Sequence, residues 1–216
     1  MSEIVLMSDP RVTALPVTEC GEPLVDLRGF PELRIDPRLA DADGHYAHLR
    51  RGVASRLRSA AALLPGGLRL LVVEGYRPMN LQVAYFTAYA EQLRAANPDW
   101  TDEHLRVQAS RSLAPPEVAP HVAGAAVDLT LCTEDGTELD FGTELNVSPE
   151  ESGLACYTEA AQISELARQH RRILAAALVA AGLVNYPTEW WHWSYGDRYW
   201  AHATQAPAAR YGPLSG

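Results

Sequence analysis

Apolar residues recur at helical spacing in four parts of the chain. These segments cover about residues 43–64, 78–95, 101–113 and 158–181. A proline or glycine follows each segment within a few residues, and such residues end helices. The sequence therefore predicts four helices. The predicted inner positions of the second helix are Leu81, Ala84, Ala88 and Leu93.

Strand patterns fill much of the remaining chain. Residues 68–73 form a compact apolar run, and residues 126–131 alternate between a larger apolar face and a smaller, more polar face that includes Asp128. A hairpin turn at 134–136 predicts a returning strand over 137–141. Two further short strands are predicted over 183–186 and 189–195, separated by a turn at Pro187. Loops and short strands are expected over 1–35, and an irregular tail after about residue 200.

The order of these elements indicates a fold class. Helices and strands are mixed without regular βαβ alternation, which favours an α+β fold with a small, mostly antiparallel sheet packed by helices. A chain of 216 residues is of the size of one domain, so a single domain is expected over 1–216.

Charge and composition exclude several classes of partner. The net charge is -9, from 18 basic and 27 acidic residues, which disfavours nucleic acid and anionic membrane surfaces. No apolar run reaches the ~18–20 residues that span a bilayer. Met1 to Pro10 lacks the pattern of a signal peptide, and the three cysteines are widely spaced, as in reduced thiols. The sequence predicts no nucleic-acid partner, no membrane partner and a cytoplasmic location.

Candidate chemistry begins with the stretch Pro187 to Trp193. Glu189 precedes His192 by three residues, and three of the five tryptophans surround them. Zinc peptidases need an imidazole ligand and a carboxylate that is not a ligand. For this stretch alone, an aromatic core strand with a polar edge is the favoured interpretation. On a regular strand, residues three apart face opposite sides, so we predict a bulge here or a position for Glu189 in the preceding turn.

A second stretch, His121 to Leu131, adds two more candidate ligands. Asp128 lies on the polar face of its strand, and His121 lies before Gly124, in the turn that leads into that strand. Each has a simpler interpretation, a solvated loop histidine and a buried hydrogen-bonded carboxylate. Together with His192 they supply two imidazoles and one carboxylate. Three protein ligands and one open position are typical of catalytic zinc.

A third motif, Glu74-Gly75-Tyr76-Arg77-Pro78, lies where a strand gives way to a helix. Arg77 projects from a rigid position there, and its guanidinium can fork onto a carboxylate or a developing oxyanion. A salt bridge between Arg77 and a neighbouring acid such as Glu74 is the alternative interpretation.

Together the three motifs resemble the zinc D-alanyl-D-alanine dipeptidases, within the D,D-peptidase group that includes the vancomycin-resistance enzymes. The resemblance covers about residues 70–193. It implies a Hedgehog/D,D-peptidase-like fold with one Zn²⁺ per chain on the sheet. The ligands it implies are His121, Asp128 and His192. It also implies that Glu189 is the catalytic acid/base and that Arg77 stabilises charge on the reacting carbonyl.

The resemblance further implies a small D,D-dipeptide substrate such as D-Ala-D-Ala, with two departures in this chain. Ala119 stands where the vancomycin-resistance dipeptidases carry a serine, and Asn146 stands where they carry an aspartate that helps to hold the substrate ammonium. Asn146 still accepts a hydrogen bond but lacks the charge. The expected function is zinc-dependent dipeptide hydrolysis. The alternatives are a D,D-carboxypeptidase for soluble peptidoglycan precursors and a non-catalytic zinc-stabilised binding module.

Overall fold

The computed structural model describes residues 4–214. In this part of the chain the strands are β1 (Leu24–Asp26), β2 (Leu33–Ile35), β3 (His48–Arg50), β4 (Leu68–Glu74), β5 (Ala126–Thr133), β6 (Val184–Asn185) and β7 (His192–Ser194). The α-helices are α1 (Pro10–Thr13), α2 (Arg51–Ala61), α3 (Met79–Ala96), α4 (Asp102–Ala109), α5 (Glu165–Ala180) and α6 (Arg198–Thr204). Within these residues, none of the helices is both long enough and apolar enough to cross a bilayer.

Five strands form the main sheet, in the order β2-β4-β5-β7-β6. β2 runs parallel to β4, and the other three pairings are antiparallel. A separate two-stranded sheet joins β1 to β3. The predicted α+β class with a small, mostly antiparallel sheet is therefore confirmed.

The apolar face of β4 and β5 forms the centre of the core. Val127, Leu129 and Leu131 are fully buried, as the alternation predicts, and they belong to one cluster with side chains of α2 and α5. Burial of each such side chain contributes about 1.5–3 kcal/mol to folding. The opposite face of β5 carries Asp128, which is also buried. The core thus holds the central strands rigid, with Asp128 on the side away from α2 and α5.

The predicted helix over 43–64 is wrong in its first part. This segment begins with a 3₁₀ turn, continues as β3 and becomes helical only at α2. The carbonyls of Tyr46 and His48 accept hydrogen bonds from the backbone N–H groups of Gly75 and Tyr76. Pairing of β3 with β1 and with the end of β4 overrides the local helical pattern. It fixes the segment that carries Arg77.

Three further predictions of secondary structure are also wrong. The helix predicted over 158–181 begins only at α5, where the side chain of Ser164 accepts a hydrogen bond from Ala167 N–H. The segment over 137–141 makes a single bridge, Cys132 with Glu138, instead of a strand. The tail predicted to be irregular contains α6, which is capped by the carboxylate of Asp197. Single capping side chains decide both helix starts.

The inner face predicted for α3 is half right. Leu93 is buried and Leu81 is half-buried, but Ala84 and Ala88 are exposed. α3 packs on α4, and much of its remaining surface is open. The helical period identified the helix without identifying its buried face, because this helix does not pack on the main core.

Candidate metal centre and active site

Neighbouring strands place two of the three predicted ligands side by side. Asp128 on β5 lies directly opposite His192 on β7 in the antiparallel register. His121 begins the 3₁₀ turn before β5, and Gly124 ends that turn with a φ of 62°. This φ lies in the left-handed region, which favours glycine, and a Cβ atom at this position would also displace the side chain of Leu24. The turn folds His121 back against the strand pair.

The three side chains converge on one point. His121 Nε2 lies 3.2 Å from His192 Nδ1, His192 Nδ1 lies 3.0 Å from Asp128 Oδ1, and His121 Nε2 lies 3.4 Å from that oxygen. These separations match the ~3.3 Å edges of a tetrahedron whose metal–ligand bonds are about 2.0–2.1 Å. All three residues are buried. The donor set and its spacing therefore fit zinc.

The backbone fixes the tautomer of one ligand. His121 Nδ1 lies 2.7 Å from the carbonyl oxygen of Gly75, which can only accept a hydrogen bond. Nδ1 therefore carries the proton, and Nε2 offers a lone pair to the metal point. His192 Nε2 has no hydrogen-bond partner within residues 4–214. The two imidazoles thus face the metal point with different ring nitrogens.

Charge and burial also prepare the ligands. Burial alone would raise the pKa of Asp128, but the facing imidazoles of His121 and His192 lower it well below its usual range. Burial lowers the pKa of His192, which keeps its imidazole neutral. Metal ligands must be an ionised carboxylate and neutral imidazoles. The site favours these protonation states at Asp128 and His192. At His121 burial lowers the pKa, but the charge of Asp128 outweighs burial and raises it, so metal binding displaces a proton there.

Glu189 lies in the turn immediately before β7, as one of the two predicted arrangements required. Its backbone N–H donates a hydrogen bond to the carbonyl oxygen of Tyr186. Its carbonyl oxygen accepts hydrogen bonds from the side-chain amide of Asn185 and from the backbone N–H of His192. These bonds turn its carboxylate to the same side as His192, where Oε2 lies 3.8 Å from His192 Nδ1. Burial, and then the charge of Asp128, raise the pKa of Glu189 well above its usual value. A bound dication would oppose that rise.

The aromatic interpretation of this stretch is also correct for its tryptophans. Trp191 and Trp193 are buried in the main core, and Trp190 stacks on Phe141 with ring centroids 4.3 Å apart. Trp193 Nε1 donates to the Trp190 carbonyl. The tryptophans therefore anchor the segment, while Glu189 and His192 face the other way.

Arg77 makes the salt bridge that the sequence offered as an alternative. Its Nε and Nη2 donate to the two carboxylate oxygens of Glu74, at 2.7 and 2.5 Å, and both side chains are buried. Its Nη1 donates to Gln82 Oε1, and Gln82 Nε2 donates to Ala114 O. A guanidinium carries five N–H groups, so these three hydrogen bonds leave other N–H groups of Arg77 available. Glu74 and Gln82 hold the group at one orientation.

Sequence reasoning missed the supporting roles of Gly75 and Gln82. A Cβ on Gly75 would lie 2.4 Å from the carbonyl oxygen of His48, so the close approach that brings its carbonyl to His121 requires glycine. Gln82 is a buried amide in the first turn of α3, five residues after Arg77. A polar residue among the apolar positions of a helix was the available signal.

One cavity of about 880 Å³ contains the whole constellation. Its lining includes the predicted site residues His121, Asp128, His192, Glu189, Arg77 and Asn146. Ala119 is buried in the wall, whereas Asn146 is exposed on a loop, with a φ of 66°. Glu144, which could have replaced the charge missing at Asn146, does not line the cavity. The structure therefore brings all six predicted residues to one cavity.

The chain is similar to known dipeptidases along most of its length. Residues 43–208 match the family described as D-ala-D-ala dipeptidase. The chain is 30% identical to a D-alanyl-D-alanine dipeptidase of Synechocystis sp., over 87% of each chain. It is 26% identical to a D-alanyl-D-alanine dipeptidase of Escherichia coli K12, over 78% of this chain and 82% of that protein.

A solved structure, VanYB in complex with D-alanine-D-alanine, superimposes with a TM-score of 0.44 and 15% identity, over 83% of this chain and 88% of that one. The family match spans most of the sequence and includes the three candidate metal ligands. The chain therefore belongs to the D-ala-D-ala dipeptidase family and is a metallopeptidase.

Proposed function

We propose that the protein is a zinc-dependent dipeptidase that hydrolyses a D,D-dipeptide such as D-Ala-D-Ala to free amino acids. The observation that carries the proposal is the convergence of two imidazole nitrogens and one carboxylate oxygen within 3.4 Å of one another, with a non-ligand carboxylate beside them. Family membership supports the substrate class.

His121 Nε2, Asp128 Oδ1 and His192 Nδ1 would hold one zinc ion per chain. Bound zinc in a three-ligand site supplies an acidified water and a Lewis acid for the scissile carbonyl. The Gly75 carbonyl keeps the His121 ring in the required tautomer. The buried strand pair holds Asp128 and His192 in register. The protein thus provides the ligands already positioned, and little chain entropy is lost when the metal binds.

Glu189 acts as the general base and then as the general acid. Its carboxylate takes a proton from the attacking water and returns one to the leaving amine. The enclosed position that raises its pKa suits the second step, because a carboxyl group with an ordinary pKa returns a proton poorly near neutral pH. A bound dication opposes that rise and so keeps the carboxylate ionised for the first step. Its backbone bonds in the turn before β7 hold it beside the ligands without making it one.

Arg77 stabilises the negative charge that develops on the carbonyl oxygen. The hydrogen bonds to Glu74 and Gln82 fix the guanidinium before the substrate arrives. The guanidinium therefore needs no reorganisation during the reaction. The same burial strengthens its interaction with a developing charge. A flexible, solvated arginine would contribute less.

Asn146 contributes to the binding of the substrate amino group. Its amide oxygen accepts a hydrogen bond but adds no charge. Recognition of the amino end is therefore weaker than an ionised carboxylate would provide. The main determinants of substrate binding are the zinc site, Arg77 and the walls of the cavity.

The proposed function is tested by the stereochemistry of cleavage. Zinc-loaded protein is expected to release free alanine from D-Ala-D-Ala and to leave L-Ala-L-Ala intact, because family membership supports D,D-dipeptides as the substrate class. The measurement is amino-acid release from the two dipeptides under identical conditions. Equal cleavage of both would contradict a D,D-specific enzyme, and cleavage of only L-Ala-L-Ala would contradict it more strongly.

A further inference from the structure

A long irregular segment forms one wall of the cavity. It covers residues 142–157, which we call the cavity loop, and it contains no α-helix or β-strand. Contacts with the rest of the protein must therefore fix its position. The loop supplies four residues to the cavity lining, Asn146, Ser148, Glu150 and Glu151.

Both ends of the cavity loop are bound to one side chain of α5, Arg171. Its Nε and Nη2 donate to the carbonyl oxygen of Phe141, at 2.9 and 2.6 Å. Its Nη2 also donates to Ala155 O at 2.9 Å, and its Nη1 donates to the carbonyl oxygens of Tyr157 and Thr158 at 2.6 and 3.4 Å. All five N–H groups of the guanidinium are used. They join the chain just before the loop to the chain at its end, and so form the neck of the loop.

The partners of Arg171 are unusual for a buried cation. Arg171 is buried, and within residues 4–214 no carboxylate forms an ion pair with it. Burial lowers its pKa to about 10, which leaves the group protonated near neutral pH. A buried charge without a counter-charge is costly, and an apolar side chain could fill the same volume at lower cost. The directed hydrogen bonds at the neck are what the cation contributes.

A tryptophan from the segment before β7 strengthens the neck. The ring of Trp190 stacks on Phe141, and its centroid lies 5.6 Å from the guanidinium carbon of Arg171. Trp190 Nε1 donates to Thr143 Oγ1 at 2.9 Å, and the backbone N–H of Trp190 donates to Cys156 O at 3.0 Å. Trp190 thus binds the loop near both of its ends.

The middle of the cavity loop is held by weaker contacts. Glu150 accepts hydrogen bonds from Tyr89 and Arg111, but its side chain is 49% exposed, and exposed pairs of this kind contribute little to stability. Leu145 and Val147 pack on the main core, and apolar burial is non-directional. The directed bonds at the neck therefore determine how the loop is oriented over the cavity.

Asn146 depends on this orientation. Its φ of 66° lies in the left-handed region, and its side chain has no hydrogen-bond partner in the described part of the chain. No contact of its own fixes the amide, so the backbone of the loop sets where the amide lies.

We propose that Arg171 is a positioning residue for substrate binding, which closes the neck of the cavity loop and so holds Asn146 within reach of the substrate amino group. This inference rests on the proposed function. Glu189 has its own backbone bonds to Tyr186 and His192, and the metal ligands lie on or beside β5 and β7. Loss of the neck should therefore weaken substrate binding and leave zinc binding and the chemical step nearly intact.

The test is a double-mutant cycle of Arg171→Met and Asn146→Ala, followed by kcat and KM for D-Ala-D-Ala and by zinc content. Methionine fills the volume of the side chain without its five donors. Each single variant is expected to raise KM by about tenfold, since a hydrogen bond to a charged group is lost, and to change kcat by less than about twofold. The double variant should be no worse than Arg171→Met alone, because both changes remove the same interaction.

Arg172→Met is the matched control. Arg172 is the next residue of α5, but it is exposed, pairs with Glu165 and does not line the cavity. The same chemical change there should leave KM, kcat and zinc content unaltered. An unchanged KM in Arg171→Met would overturn the inference. Effects of the two single variants that multiply in the double variant would also overturn it, because Arg171 would then act independently of Asn146.

Two further outcomes are distinguished by other measurements. If circular dichroism shows that Arg171→Met does not fold, Arg171→Lys takes its place, and failure of both to fold would overturn the inference by making Arg171 a residue of the whole fold. If wild type cleaves no D-Ala-D-Ala, the proposed function fails. Hydrogen exchange then tests the loop alone: amides of residues 142–157 should exchange faster in Arg171→Met than in Arg172→Met, and equal exchange would overturn the role of the neck.

Discussion

Replacement of Glu189 with glutamine is expected to lower kcat by about 10²–10⁴-fold. Glutamine keeps the shape of the side chain but cannot take a proton from water or return one to the leaving amine. The metal should stay bound, because the carboxylate lies 3.8 Å from His192 Nδ1 and is outside the three converging ligand atoms. The measurement is kcat for dipeptide hydrolysis beside the zinc content of the same preparation.

The control for this variant is Glu144→Gln. Glu144 is exposed, lies on the loop near Asn146 and does not line the cavity, so the same chemical change there should leave kcat unaltered. Full activity in Glu189→Gln would contradict its role as the proton carrier. Loss of activity together with loss of zinc would instead show that Glu189 supports the metal.

Replacement of His192 with alanine is expected to remove the metal as well as the activity. Two ligands would remain. Loss of a residue that only supports a ligand lowers metal affinity by up to about 100-fold, so loss of a ligand should lower the zinc affinity by more than about 100-fold. The same result is expected for His121→Ala. Zinc content after dialysis and D-alanine release are measured together. Circular dichroism shows whether the variant keeps the fold of metal-free wild type.

His104→Ala is the matched control, since His104 is an exposed histidine on α4 outside the cavity. It should keep zinc and activity. Retention of one tightly bound zinc ion by His192→Ala would contradict the assignment of the three ligands. Binding of zinc with full activity in both histidine variants would place the metal elsewhere.

The placement of the candidate metal ligands could be predicted from the sequence because it depends on local rules. The alternation around Asp128 determines which face of β5 the carboxylate occupies. The conflict between strand geometry and the spacing of Glu189 and His192 predicted either a bulge or a position for Glu189 in the turn before β7, and the structure has the second. Gly124 marked the turn that folds His121 back. In each case neighbouring residues carry the information.

Other features depend on contacts between distant parts of the chain. β3 forms because residues 46–50 pair with β1 and with the segment after β4, although their own pattern is helical. The partner of His121 is a backbone carbonyl, which has no signature in the sequence. The face of α3 that lines the cavity depends on the distant segments around it, and the helical period alone placed Ala84 and Ala88 on the wrong side.

The central claim is a zinc ion held by three protein ligands and used for dipeptide hydrolysis. Titration of the metal-free protein with zinc, while D-alanine release from D-Ala-D-Ala is followed, tests this claim most directly. The account predicts no release without metal and a rate that rises to a plateau at about one zinc per chain. Release that is independent of zinc would contradict it. Stoichiometric zinc binding without any release would instead identify a zinc-stabilised module without catalysis.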